Sequence, residues 1–258
     1  MSETSFVVIH SHERRKITTT GTASGIGLTT AKLLAKRGAI LSVREAHEAR
    51  VNEAFQQLSG SGHFATKVDA SKASEVNSWI ENTVKKLGGL DGAANVASIE
   101  REGGRHFADG RDEDWELVMG VNCSGVFYSL RARIRQMLRK GGSVVNVASI
   151  AGLIGVVETT CYNANKFAVM GLTRTAARAY GSHNIKINSV APGWWSPPLR
   201  ICRVIATPLV HAMETQELDS QADPKKVANV ITFLLSDEAS FVTGSTYKVD
   251  GGSTAEAS

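Results

Sequence analysis

From Gly21 almost to the end of the chain, apolar runs of strand length alternate with amphipathic stretches of helix length. AILSV precedes ARVNEAFQQL, HFATKVDA precedes ASEVNSWIENTVKKL, and LDGAANVA precedes DEDWELVMGVNCSGVFYSLRARIRQML. The order continues with GGSVVNVAS, a helix over Tyr162 to Tyr180, IKINSVAP, a helix over Pro224 to Leu235, and TYKVDGG. Runs of this kind followed by 3.6-period stretches predict repeated βα units, which bury a parallel sheet between two helical layers. Right-handed crossovers then give an α/β fold, a doubly wound, Rossmann-like parallel sheet in three αβα layers. No repeat period, low-complexity tract or linker marks a second domain, so residues 16–258 read as one unit behind an N-terminal extension, 1–15. One stretch breaks the pattern. A central strand is buried on both faces and nearly all apolar, yet the segment ahead of Gly21 reads RRKITTTG, and FVVI lies too far upstream to replace it. A weakened first strand is expected.

Composition narrows the class. The chain has 258 residues, 42% of them hydrophobic, enough for a sizeable core. Lys and Arg exceed Asp and Glu by only 29 − 25 = 4. The basic run RARIRQMLRK is interrupted by Ile134, Met137 and Leu138 at helical spacing, which makes it a solvated helix face and not a nucleic-acid contact. Cys123, Cys161 and Cys202 are too few and too far apart for a disulfide framework or a zinc site, and fit reduced thiols in the cytoplasm. No apolar run reaches the roughly 18 to 20 residues that span a bilayer, so no membrane partner is expected.

The candidate chemistry gathers where the predicted strands end. Thr20-Gly21-Thr22-Ala23-Ser24-Gly25-Ile26-Gly27 lies between the first strand and the helix LTTAKLLAKRG. Glycines permit a tight turn and close backbone approach to a pyrophosphate, and the helix start supplies N–H groups and a positive dipole end. At the end of the second strand stand Arg44 and Glu45. A carboxylate there accepts from the adenosine ribose, whereas a guanidinium favours an extra phosphate. Glu45 pulls toward NAD and Arg44 toward NADP. Asp69 and Ala70 end the third strand; Asp69 suits either an adenine contact or a helix N-cap. Further on, Tyr162 and Lys166 stand four apart and share a helix face, which sets an ammonium beside a phenol. Ser149 precedes the tyrosine by 162 − 149 = 13 residues.

Taken together, TGTASGIG at 20–27, Asp69, NVA at 95–97, Asn122 in MGVNCSGVF, Ser149 in NVASIAG, YNANK at 162–166, INSVAPG at 187–193 and VTGSTYKVDGG at 242–252 resemble the short-chain dehydrogenase/reductase family over most of the chain. The resemblance implies a catalytic tetrad of Asn122, Ser149, Tyr162 and Lys166. Tyr162 would be the general acid or base, Ser149 would hydrogen-bond the substrate oxygen, and Lys166 would lower the tyrosine pKa and hold the nicotinamide ribose. Asn122 would anchor a water. It also implies a bound NAD or NADP contacted by Gly21, Ser24, Gly25, Ile26, Gly27, Glu45, Asp69, Ala70, Asn95, Tyr162, Lys166, Pro192, Gly193 and Thr207, with Glu45 tilting the balance to NAD. A small-molecule secondary alcohol or ketone would be the substrate, and a homodimer or homotetramer the assembly. A dinucleotide-binding protein without turnover is the rival reading, and an epimerase or dehydratase on the same fold is a third.

Two positions depart from the family pattern. Ser98 stands where NAG-like patterns end in glycine, which adds a side chain near the cofactor. After Pro192-Gly193, WWSPPLRICR at 194–203 reads as an insertion before VIATPLV. It is either a substrate lid, with Trp194 and Trp195 lining an apolar pocket for a bulky substrate of specialised metabolism, or the trace of a misplaced splice boundary. The family's threonine on the nicotinamide carboxamide is then Thr207, with Ser196 as the competing position.

Overall fold

The computed structural model describes residues 12–101, 105–193, 218 and 223–255. Its strands are β1 (Lys16–Thr20), β2 (Ile40–Glu45), β3 (Phe64–Lys67), β4 (Gly92–Asn95), β5 (Gly142–Val147), β6 (Ile185–Pro192) and β7 (Thr246–Val249). They form a single seven-stranded sheet in the order β3-β2-β1-β4-β5-β6-β7, with every neighbouring pair parallel. The helices between them are α1 (Gly25–Lys36), α2 (Glu48–Phe55), α3 (Ala73–Leu87), α4 (Asp112–Met119), α5 (Gly125–Met137), α6 (Thr160–Tyr180) and α7 (Pro224–Leu235). This is the doubly wound architecture the alternation predicts. Strand order reverses between β1 and β4, and ligands of such sheets bind at that switch.

Period-two alternation divides each inner strand between two cores. Ala93, Val144, Ile185 and Ile187 pack with Val76 and Ile80 of α3, Leu130 and Met137 of α5, and Val169 of α6. Their neighbours Ala94, Val145 and Val190 pack instead with Leu34 of α1, Val51 of α2, and Ile231 and Leu234 of α7. The sheet is thus apolar on both faces, as a parallel sheet requires. The start of α7 is set locally: Asp223 accepts the N–H of Lys225 at 2.7 Å and Pro224 occupies the first turn.

The polar first strand is not weakened in its pairing. β1 is in register with β2 from Lys16 to Thr20 and with β4 from Ile17 to Thr19. Thr18, Thr19 and Thr20 are fully buried, while Lys16, at the start of the strand, is half-buried. Thr20 is satisfied, since its hydroxyl accepts the N–H groups of Val96 and Ala97 at 3.0 and 3.1 Å. Among the described residues the hydroxyls of Thr18 and Thr19 have no hydrogen-bond partner. Backbone pairing on both edges outweighs the cost of two stranded hydroxyls, about 1 to 3 kcal/mol each. Thr19 shares a face with Ile17, which belongs to the α1–α7 core. Thr19→Val, nearly the same shape without the hydroxyl, is therefore expected to stabilise the fold by about 1 kcal/mol, read as a higher denaturation midpoint with an unchanged slope.

The segment 112–138, expected as one helix, is α4 and α5 joined by a wide π turn over Gly120–Ser124. No described helix is long and apolar enough to cross a membrane. Among the described residues no three potential ligands gather to hold a metal ion. Residues 1–11 of the expected N-terminal extension and the whole 194–203 insertion lie outside the described residues.

Candidate active site

The glycine-rich turn sits at the reversal of strand order. Thr20, accepting from Val96 and Ala97, ties the turn after β1 to the chain leaving β4. α1 begins inside the turn, at Gly25. Ser24 occupies the N-cap position with extended backbone, but its exposed side chain makes no capping bond, and the first turn holds no acidic residue. The first N–H groups of a helix have no intrahelical acceptor. Those of Gly25, Ile26 and Gly27 are capped by no side chain, which suits an anionic ligand. Gly27 is buried against the turn: a Cβ there would lie 1.9 Å from the carbonyl oxygen of Gly21. The residues present fit a dinucleotide pyrophosphate.

Arg44 and Glu45, adjacent on β2, point to opposite faces, as alternation demands. The Glu45 carboxylate accepts the N–H of Ala23 at 2.9 Å and so lies against the glycine turn. Arg44 turns inward instead. It is 4% exposed and donates to the Val68 carbonyl at 3.4 Å, and burial lowers its pKa to about 10 against the opposing pull of Glu45 and Asp69. Beneath it Arg133 of α5, fully buried, hydrogen-bonds Asn95 and lies over the Trp79 ring. Its own pKa falls to about 9, first through burial and then through Arg44. Asp69 is not an N-cap. Its Oδ1 accepts from the backbone N–H and the hydroxyl of Ser71, at 3.0 and 2.7 Å, and Lys72 takes the cap position of α3. These bonds and Lys72 hold its carboxyl below the usual range in spite of partial burial, which acts the other way and is the largest single influence. Ala70 is buried beside Gly125.

The predicted tetrad converges on the ends of β4 and β5. Ser149 follows β5 by two residues and hydrogen-bonds the Tyr162 phenol, while its Oγ also accepts the N–H of Ala151 at 3.2 Å. The short turn Ile150–Gly152 then packs on α6, where a Cβ on Gly152 would stand 2.8 Å from the backbone of Lys166. That close approach sets Ser149 against the start of α6. Lys166 is buried. Its ammonium donates to the Val147 carbonyl at 3.2 Å and lies over the Tyr162 ring, 5.1 Å from the centroid. Burial lowers its pKa to about 8, with Glu100 opposing the shift. The phenol moves the other way. Burial pushes Tyr162 up to about 12, Ser149 pulls it down, Glu100 pushes it further up, and Ser98, by a second hydrogen bond, pulls it down. Burial thus outweighs the two serine hydrogen bonds in setting the direction of the phenol's shift.

Asn122 lies within the π turn, 1% exposed. Its Oδ1 accepts the N–H of Ile99 at 2.8 Å and its Nδ2 donates to the Ile99 carbonyl at 2.7 Å, so its amide clamps the chain leaving β4. One N–H and one lone pair of the amide are not used by these two bonds. Asn95 lies inside the sheet, donating to Asn146 Oδ1 at 2.8 Å and accepting from Arg133.

Over residues 21–254 the chain matches the family model described as enoyl-(acyl carrier protein) reductase. It is 37% identical over 256 residues to the "Short-chain dehydrogenase/reductase aba4" of Botryotinia fuckeliana (strain B05.10), covering 92% of this chain and 95% of the relative. The chain belongs to the short-chain dehydrogenase/reductase family. The chain is also 37% identical over 246 residues to the "Cyclohexanol dehydrogenase" of Acinetobacter sp. (strain SE19), covering 92% of this chain and 94% of the relative. The crystal structure of levodione reductase superposes with a TM-score of 0.86 at 30% identity, covering 94% and 98% of the two chains. This short-chain dehydrogenase/reductase is an oxidoreductase, and its family generally binds NAD(P). Pro192 ends β6, and the N–H of Gly193, the next residue, donates to the Val249 carbonyl at 3.0 Å. Thr207, Ser196, Trp194, Trp195 and Cys202 lie outside the described residues. No motif points to Glu100 or the Val147 carbonyl, and Ser98 stands out in the sequence only as a side chain near the cofactor. Ser98 and Glu100 stand two apart in the chain leaving β4, where no regular structure supplies a period that would have paired them.

Proposed function

We propose that the protein is an NAD-preferring oxidoreductase that moves a hydride between nicotinamide and a ring-bearing secondary alcohol or ketone. The observation that carries this reading is the Tyr162 phenol hydrogen-bonded by Ser149, with the Lys166 ammonium over its ring. When bound, the nicotinamide supplies or accepts the hydride. Tyr162 gives its proton to the substrate oxygen in reduction and takes it back in oxidation, and Ser149 hydrogen-bonds that oxygen as charge develops there. Lys166 supplies fixed positive charge beside them and would hold the nicotinamide ribose. This donor set suits a reacting carbon–oxygen bond, which favours alcohol or ketone chemistry over reduction of a carbon–carbon double bond.

The turn Gly21, Ser24, Gly25, Ile26 and Gly27 would hold the pyrophosphate, with Asp69, Ala70 and the backbone at Asn95 near the adenosine. Pro192, Gly193 and Thr207 would hold the nicotinamide end. Glu45 supports NAD: its carboxylate lies against the turn, where a ribose phosphate would meet like charge, while the guanidinium of Arg44 is buried elsewhere. Cyclohexanol and levodione, in the relatives' names, support a cyclic substrate. Phe127 and Leu138 at α5 and Phe167 on α6, each about half exposed, support self-association as a homodimer or homotetramer. Titration with NADH and NADPH, followed by energy transfer from tryptophan, is expected to show NADH binding at least about tenfold tighter, about 1.4 kcal/mol. Tighter NADPH binding would overturn the preference. A ketone screen with the preferred cofactor then tests the reaction.

A further inference from the structure

The chain leaving β4 runs without regular structure through residues 96–101 and is clamped at one point. Asn122 binds both the N–H and the carbonyl of Ile99, at 2.8 and 2.7 Å. The residues on either side of that clamp both act on the candidate active site. The Ser98 hydroxyl hydrogen-bonds the Tyr162 phenol, and the half-buried Glu100 carboxylate lies close enough to act on Tyr162 and Lys166 together. The clamp fixes Ile99 between them, and both flanking side chains reach the tyrosine–lysine pair.

We propose that Ser98 and Glu100 form a second wall of the acid–base site, Ser98 as a catalytic hydroxyl donating to the Tyr162 phenol oxygen and Glu100 as a positioning carboxylate that retains protons on the tyrosine–lysine pair. The inference rests on the hydride-transfer reading above. The two residues act with opposite signs. A donor to the phenol oxygen favours phenolate, whereas a nearby carboxylate disfavours it and favours the ammonium. Among the described residues the groups set around the phenol are Lys166 on α6, Ser149 after β5, and Ser98 and Glu100 after β4, of which Lys166 and Glu100 are charged. Ser98 therefore tunes the tyrosine alone, and Glu100 tunes both partners.

The test compares Ser98→Gly, Ser98→Thr and Glu100→Gln with the wild type in two readouts. The first is the acidic limb of kcat/KM for oxidation of the secondary alcohol identified by the screen. Phenolate is the working base in that direction, so Ser98→Gly moves the limb up by on the order of one pH unit and Glu100→Gln moves it down by a similar amount. Ser98→Thr, which keeps the hydroxyl, restores the wild-type limb. The second readout needs no turnover: the pH midpoint for acylation of Lys166, followed by peptide mass spectrometry. It falls in Glu100→Gln and stays in place in Ser98→Gly. Equal far-ultraviolet spectra and thermal midpoints show that each variant is folded. Limbs and midpoints that stay at the wild-type values in folded variants overturn the proposal. If instead Tyr162→Phe keeps full turnover, the hydride-transfer reading fails, and the Lys166 midpoint still decides the role of Glu100.

Discussion

Tyr162→Phe is expected to lower kcat by about 10²- to 10⁴-fold, the usual cost of removing a general acid–base group, while cofactor affinity stays within about threefold, less than 1 kcal/mol. The substitution removes one oxygen and leaves the ring. Lys166 keeps an aromatic face beneath its ammonium and keeps the Val147 carbonyl at 3.2 Å, so the floor of the site is unchanged. Ser149 and Ser98 lose their shared partner at the phenol, but both sit on segments fixed by other bonds, Ser149 through Ala151 and Ser98 through the clamp on Ile99. Steady-state turnover together with NADH fluorescence titration separates the two effects. Loss of binding with unchanged turnover at saturation would make Tyr162 a cofactor ligand and leave the proton without a donor.

The second large effect is expected at Gly27. An added Cβ would stand 1.9 Å from the Gly21 oxygen and 2.5 Å from its carbonyl carbon, and both are backbone atoms of the same turn. Neither can move alone, because Thr20 anchors that turn to Val96 and Ala97. Gly27→Ala therefore forces the turn and the start of α1 apart. The expected cost is about 1 to 3 kcal/mol of stability, typical of overpacking, and about a 100-fold loss of dinucleotide affinity, near 2.7 kcal/mol. Thermal unfolding with and without NADH reads both: the variant melts earlier and gains almost nothing from the cofactor. A wild-type shift on adding NADH would show that the pyrophosphate is held elsewhere.

The layered fold was open to reading because each βα unit carries its own periodicity and the two faces of the sheet need the same apolar alternation. What escaped were contacts between units. RRKITTT looked too polar for a central strand, but strand pairing on both edges is a backbone property that composition does not report, and Thr20 proved to be a tie to the chain after β4. Asn122 stood out by its motif, while its bond to Ile99 depends on a π turn that helical spacing does not foretell. The tyrosine, lysine and serine were legible because two share one helix and the third ends a strand. The opposite pKa shifts of Tyr162 and Lys166 depend on burial and on Glu100, which no local pattern tied to them.

The inward turn of Arg44 bears on how cofactor choice can change. Sequence comparison alone would nominate this arginine as a ready-made phosphate ligand, one relaxation away from NADP use. Its guanidinium is instead committed beneath the sheet, bonded to Val68 and close to Arg133, and lies on the face of β2 opposite Glu45. Drawing it out would leave the Val68 carbonyl unpaired and a void in the floor. On the proposed NAD preference, the mutational path to NADP therefore does not pass through position 44. It begins by neutralising Glu45 and continues with a new cation on the loop that follows, so an engineer redesigning this enzyme, or a lineage drifting toward the other cofactor, has to replace the carboxylate before any arginine can help.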